Sequence, residues 1–252
     1  SERGREMKLK IIVADRQLVR PGDTLAYVEE VSEPIGFRKI PEKHIYILGN
    51  KVFSDVIGVV NVNGEDLQVI PLEGVYIPKK DDLVIGIVEN VGVTAWTLDI
   101  RSPYPGVLNA SEVIEGFNPL LHNLRNYLDI GDFVVGRISL FDRTRDPVIT
   151  VKGKGLGKIV EGIVVDVKPS KVPRLIGKKG SMHNILTSMS GCDITIAQNG
   201  FVWLKCPDEN RAKVLIQAIK LIELKAHVRG LTEEVKMFLE KRIGGGGSSV
   251  EQ

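Results

Sequence analysis

Two glycines three positions apart, Gly177 and Gly180, enclose Lys178 and Lys179 in the stretch Leu175-Ile176-Gly177-Lys178-Lys179-Gly180, and a helix-like Ser181-Met182-His183-Asn184-Ile185-Leu186 follows at once. The chemistry this combination permits is the holding of a polyanion. Glycine lacks a Cβ and tolerates positive φ, so the backbone can come close to a ligand. A helix N-terminus presents N–H groups and partial positive charge, and the lysines bring mobile ammonium groups. A tight turn alone would carry the same spacing, so the surroundings decide.

Charge is the first of those surroundings. The 252 residues hold 34 Lys and Arg against 32 Asp and Glu, a formal net charge of +2, so an electrostatic partner must be met by a local patch. From Thr150 to Gly180 there are eight basic residues (Lys152, Lys154, Lys158, Lys168, Lys171, Arg174, Lys178, Lys179) and two acidic ones (Glu161, Asp166). The basic excess therefore lies on the glycine loop and just before it.

Other chemistry finds little support. Asp81-Asp82, and Asp142 with Asp146, are the nearest carboxylate pairs, and each sits where a turn wants Asp for backbone reasons. His44, His122, His183 and His227 are scattered without a partnering acid at a useful spacing. Cys192 and Cys206 form no metal-ligand spacing and read as a buried, reduced pair. No catalytic set, metal or cofactor is expected. No apolar run approaches the ~20 residues of a membrane span, and a soluble, cytoplasmic protein follows.

The chain reads as multidomain, mainly β plus α+β. Residues 8–76 form a small N-terminal all-β domain, with strands at 9–13, 24–28, 52–62 and 67–70 and a hairpin signal at Asn63-Gly64. Tyr76-Ile77-Pro78 reads as a linker. Residues 79–152 hold five short strands (83–89, 95–101, 106–110, 133–141, 147–151), an OB-like barrel interrupted by a helical insertion at 112–128, where Leu120, Leu121, Leu124 and Leu128 recur. Arg20-Pro21-Gly22-Asp23, Lys79-Lys80-Asp81-Asp82 and Asp129-Ile130-Gly131-Asp132 each close a turn on Asp and open a strand, a shared turn chemistry. Residues 156–243 change grammar: a strand at 158–167, a short helix at 172–176, the glycine loop, a helix at 181–189, paired strands at 192–197 and 200–204, a helix from Asp208 to about 228, and a last helix capped by Thr232. Ser1–Glu6 and the Gly244–Gly247 run are set aside as ends.

In that order the third part resembles a KH domain, with Ile176 to Gly180 as its signature loop. The barrel resembles an S1-type OB-fold through Asp82 to Val88, Leu98-Asp99-Ile100, Gly106 to Glu112 and Ile130 to Val134. An N-terminal β domain, an S1-type barrel and one KH domain together are similar to the archaeal exosome's KH-bearing RNA-binding cap subunit. That resemblance implies a non-catalytic cap, three copies of which sit on a hexameric ring of phosphorolytic nuclease subunits and guide single-stranded RNA 3′ ends into it. NusA-like factors carry related modules, but usually two KH domains; polynucleotide phosphorylase has the modules in reverse order. The implied RNA contacts are Gly177, Lys178, Lys179 and Gly180, extended by Arg174 and Lys171, which a solvated charged face would equally explain. On the barrel they are Arg137, Arg143 and Arg145. Trp96 should be core by strand alternation, while Tyr104 and Phe141 are open to stacking or burial.

Overall fold

The computed structural model describes residues 7–30, 33–72, 74–142 and 144–244. They divide into two compact units, 1–73 and 74–252.

The first unit is all β. Its strands are β1 (Leu9–Ile11), β2 (Leu18–Val19), β3 (Thr24–Val28), β4 (Ile35–Ile40), β5 (Ile45–Gly49), β6 (Lys51–Ser54), β7 (Gly58–Asn63) and β8 (Asp66–Pro71). Five of them form a sheet in the order β1-β3-β6-β5-β4, and β2-β7-β8 form a second. Alternation explains the core: Leu25, Ile45, Ile47, Val52, Val60, Leu67 and Val69 turn inward and are nearly inaccessible. The Asn63-Gly64 signal does close a hairpin, Asn63 pairing with Asp66 around Gly64, whose φ is +64°. The sequence expectation missed β2, β4 and β5, and ran β6 and β7 together. Ser54-Asp55-Val56 breaks that run, the Ser54 hydroxyl donating to the Val56 carbonyl at 2.7 Å.

In the second unit, β9 (Leu83–Val91), β10 (Ala95–Asp99), β11 (Gly106–Asn109), β12 (Phe133–Leu140) and β13 (Val148–Thr150) close on themselves, since β13 pairs with both β11 and β12. The barrel of OB type expected from the five strands is thus present. Trp96 is fully buried and donates from Nε1 to the Leu128 carbonyl at 2.8 Å, in agreement with its assignment to the core. Tyr76 is not linker: it is buried in the barrel core, and its hydroxyl donates to Asp82 at 2.6 Å. The expected helical insertion is mostly turns. Only α1 (Ala110–Val113) and a 3-10 turn at Leu124–Asn126 are helical. Leu124 and Leu128 are buried, but Leu120 and Leu121 are 91% and 78% exposed. Gly116 at φ +64° and Asn118, whose Oδ1 accepts from the Leu120 N–H, divert the backbone from a helix.

The three Asp turns prove geometrically alike. Asp23, Asp82 and Asp132 each donate their N–H to the carbonyl three residues back, at 3.0–3.1 Å. The residue before each has positive φ: Gly22 at +87°, Asp81 at +72° and Gly131 at +92°.

After the barrel, β14 (Gly157–Lys158) adds to β12, and β15 (Ile163–Asp166) begins the last sheet. The single strand expected over 158–167 is divided because Gly162 has φ +89° and lies against the Leu204 carbonyl. Then come α2 (Val172–Ile176), α3 (Ser181–Ser190), β16 (Asp193–Ile196), β17 (Phe201–Lys205), α4 (Glu209–Leu224) and α5 (Leu231–Ile243). The sheet order is β15-β17-β16, and the helices cover it around Leu175, Met182, Leu186, Leu215, Ile219 and Leu239. The Asp208 side chain caps α4, accepting from the Arg211 N–H at 2.8 Å. The N-cap of α5 is Gly230, not Thr232.

Cys192 and Cys206 are not a reduced pair but a disulfide, with Cα atoms 4.3 Å apart across the β16–β17 hairpin. Their sequence separation of 14 places the expected stabilisation at about 3 kcal/mol on a chain-entropy basis. Reductant should therefore lower the thermal midpoint of the oxidised chain, and Cys192→Ser with Cys206→Ser should abolish that dependence. A midpoint indifferent to reductant in the native sequence would contradict it.

Candidate nucleic-acid interface

The glycine loop owes its shape to three residues with positive φ: Gly177 at +76°, Lys179 at +53° and Gly180 at +76°. Both glycine N–H groups are used internally. Gly177 donates to the Pro173 carbonyl at 2.9 Å and Gly180 to the Gly177 carbonyl at 3.1 Å. The glycines thus contribute curvature and close approach rather than donors, and the cationic chemistry falls to Lys178 and Lys179, both exposed.

The two glycines are not equivalent. A Cβ at Gly177 would meet the Met182 nitrogen at 2.6 Å and the Ser181 hydroxyl oxygen at 2.7 Å, whereas one at Gly180 would meet nothing within 4 Å. Gly180→Ala should cost about 1 kcal/mol of αL strain, and Gly177→Ala about 2–4 kcal/mol because the turn into α3 must also shift. Chemical denaturation of the two variants checks the order.

Lys171 and Arg174 precede the loop, seven and four residues before Lys178, and with it border a groove of about 420 Å³. Among the described residues neither they nor Lys178 and Lys179 form an ion pair within 4 Å, whereas Lys220, Lys225 and Lys236 all do. The loop and the preceding turn form one uncompensated positive surface.

The barrel candidates separate. Arg145 borders an open groove of about 540 Å³ with Tyr104, Asn109, Thr144 and Asp146. Tyr104 and Phe141 pack edge to face at 5.1 Å, both half-buried, so each serves the wall and leaves part of its ring accessible. The Asp142 carboxyl is held below its usual range by hydrogen bonds from Thr144, the turn role expected for it. Arg137 does not line this groove; it lies on β12, donating to the Asp81 carbonyl at 3.1 Å. Arg143 lies outside the described residues.

The junction between barrel and final sheet escaped sequence reasoning. Asn199, at the tip of the β16–β17 hairpin, is fully buried. Its Oδ1 accepts from the Ile85 N–H at 3.2 Å, and its Nδ2 donates to the carbonyls of Ile85 and Ile100 at 2.7 and 2.9 Å. Gln198 donates its N–H to the Leu83 carbonyl. Arg101 donates to the carbonyls of Val167 and Asn199 and lies 5.2 Å from the centroid of the Phe201 ring. Ile85, Val135 and Ala197 are buried together between the two parts. Barrel and loop-bearing fold are held as one packed body.

An OB-type barrel fastened to a β-α-α-β-β-α fold with a cationic Gly-x-x-Gly loop is the architecture of an RNA-binding protein. Residues 162–210 match the KH domain family model, and residues 16–73 match that of the exosome RNA binding protein RRP4 N-terminal domain. The chain belongs to the Rrp4 family of exosome complex components and is an exosome RNA-binding subunit. It is 84% identical to exosome complex component Rrp4 of Thermosphaera aggregans over 246 residues, which cover 98% of this chain and 100% of that protein. To the same component of Saccharolobus solfataricus it is 44% identical over 237 residues, 93% of this chain and 92% of that one. A crystal structure provisionally described as an exosome complex RNA-binding protein superposes with a TM-score of 0.64 at 39% identity, covering 68% of this chain and 98% of that one. The NusA-like reading is not favoured. No helix among the described residues is long and apolar enough to cross a membrane.

Proposed function

We propose that the chain grips single-stranded RNA and delivers its 3′ end to a separate phosphorolytic nuclease, cutting nothing itself. The observation that carries this is the glycine loop, where two exposed lysines without acidic partners among the described residues stand on a backbone shaped for close approach, inside a KH-type fold of an exosome subunit. The division of labour follows three parts, 8–76, 79–152 and 156–243, save that Tyr76 belongs to the barrel in which it is buried. The first docks on a hexameric nuclease ring in three copies, in the cytoplasm; the barrel, through the Arg145 groove, and the loop hold the strand. Among the described residues no group of three His, Cys, Asp or Glu side chains is placed to hold a metal ion. Labelled RNA incubated with the isolated chain, phosphate and magnesium should keep its length, and shorten only when ring subunits are added. Shortening by the chain alone would overturn the reading.

A further inference from the structure

The groove beside the loop has a wall that belongs to neither the loop nor α2. Besides Lys171, Arg174 and Lys178 the groove is bordered by Ala226 and His227, on the turn that follows α4, and by Ser170. None of the residues bordering the groove comes from α3 or β16. It therefore lies on the α4 flank of α2, away from the α3–β16 side. There the His183 ring nitrogen Nε2, 2.7 Å from the Ile194 carbonyl, already bridges helix and strand.

Several cationic side chains brought to one surface repel each other unless an anion joins them. The nearby acids are committed elsewhere: Glu223 accepts from the Lys168 N–H and pairs with Lys220, Glu234 pairs with Lys225, and Asp166 faces Arg101. Lys171, Arg174 and Lys178, spread over eight residues from the N-cap of α2 to the turn beyond it, all border this one groove, an extended run that matches a repeating anion better than a single one. His227 and Ser170 are exposed and supply further donors.

From this we infer that the groove between α2 and the turn after α4 is a second phosphate subsite. The RNA backbone held by the Gly177–Gly180 loop continues into it, its next phosphates contacting Arg174, Lys171, Ser170 and His227. The inference rests on the RNA-clamp reading of the loop and adds a direction to it: the strand leaves over the α4 flank.

The test is fluorescence anisotropy of the full chain with unstructured single-stranded RNAs of about four and about ten nucleotides, the shorter matching what a Gly-x-x-Gly loop clamps alone. Ser170→Asp with His227→Glu, both at exposed positions, should weaken the longer RNA by about tenfold, lower its salt slope by roughly 0.7–1.4, and leave the shorter within about twofold. His227→Arg should tighten the longer RNA by about two- to threefold, a gain that misfolding cannot mimic. Unchanged affinity for the longer RNA in both variants, or an equal loss on both lengths, would overturn the subsite. Neither result touches the clamp, which falls separately if charge reversal at Lys178 and Lys179 leaves the shorter RNA bound as before.

Discussion

Replacing Lys178 and Lys179 together by glutamate is expected to weaken single-stranded RNA binding by about 10- to 100-fold at low salt. Two attractive contacts become two repulsive ones; at a few tenths to 1 kcal/mol for each exposed charge interaction, the change is about 1–3 kcal/mol. The slope of log affinity against log salt should fall by roughly 1.4, because a single strand yields about 0.7 per neutralised phosphate. The fold should survive, since both side chains are exposed and neither forms an ion pair among the described residues. Lys179 is the more delicate position, as it already holds φ +53°, so Lys178→Glu alone is the cleaner control. A well-folded double variant that binds RNA as before, with its slope intact, would reduce the loop to a turn.

The second large effect concerns stability. Asn199→Ala should destabilise the chain by about 2–5 kcal/mol, because it strands a buried N–H at Ile85 and two buried carbonyls, at Ile85 and Ile100. In a unit of this size that corresponds to a fall in thermal midpoint of about 5–15 °C. Asn199→Asp should be worse than alanine. A carboxylate can still accept from Ile85, but in this fully buried seat its other oxygen would face the two carbonyls that Nδ2 now serves. Differential scanning calorimetry separates the cases; a midpoint for Asn199→Ala within a degree of the native value would mean that water replaces the amide at no cost.

These two sites differ in how far the sequence discloses them. The loop is local: its glycines, lysines and following helix lie within a dozen residues, so their chemistry can be read in place. The barrel strands and Trp96 are legible for a similar reason, as alternation reports which side of a strand is buried. Asn199 carries no such signal. Gln198-Asn199 reads as an ordinary hairpin turn, and the groups that give it meaning lie 114 and 99 residues away. The groove partner of the loop is hidden in the same way, since His227 lies not on α4, which ends at Leu224 rather than near Val228, but on the turn after it. The leucines at 120 and 121 mislead in the opposite sense: helical spacing is present, but Gly116 and Asn118 fix turns around it. The disulfide is unreadable because spacing alone does not say that two cysteines face each other across a hairpin.

The seat of Asn199 has a consequence for biosynthesis. A chain that folds from its N-terminus completes the barrel before the β16–β17 hairpin has been made. Until that hairpin arrives, Ile85 and Val135 have no cover from Ala197, and the Ile85 N–H and carbonyl have only water. The nascent barrel is therefore a sticky intermediate with an open seam, and the last third of the chain acts as its lid. Expression of the barrel truncated at residue 152 should give aggregates, and covering the seam, rather than lengthening the ends, should be what rescues it.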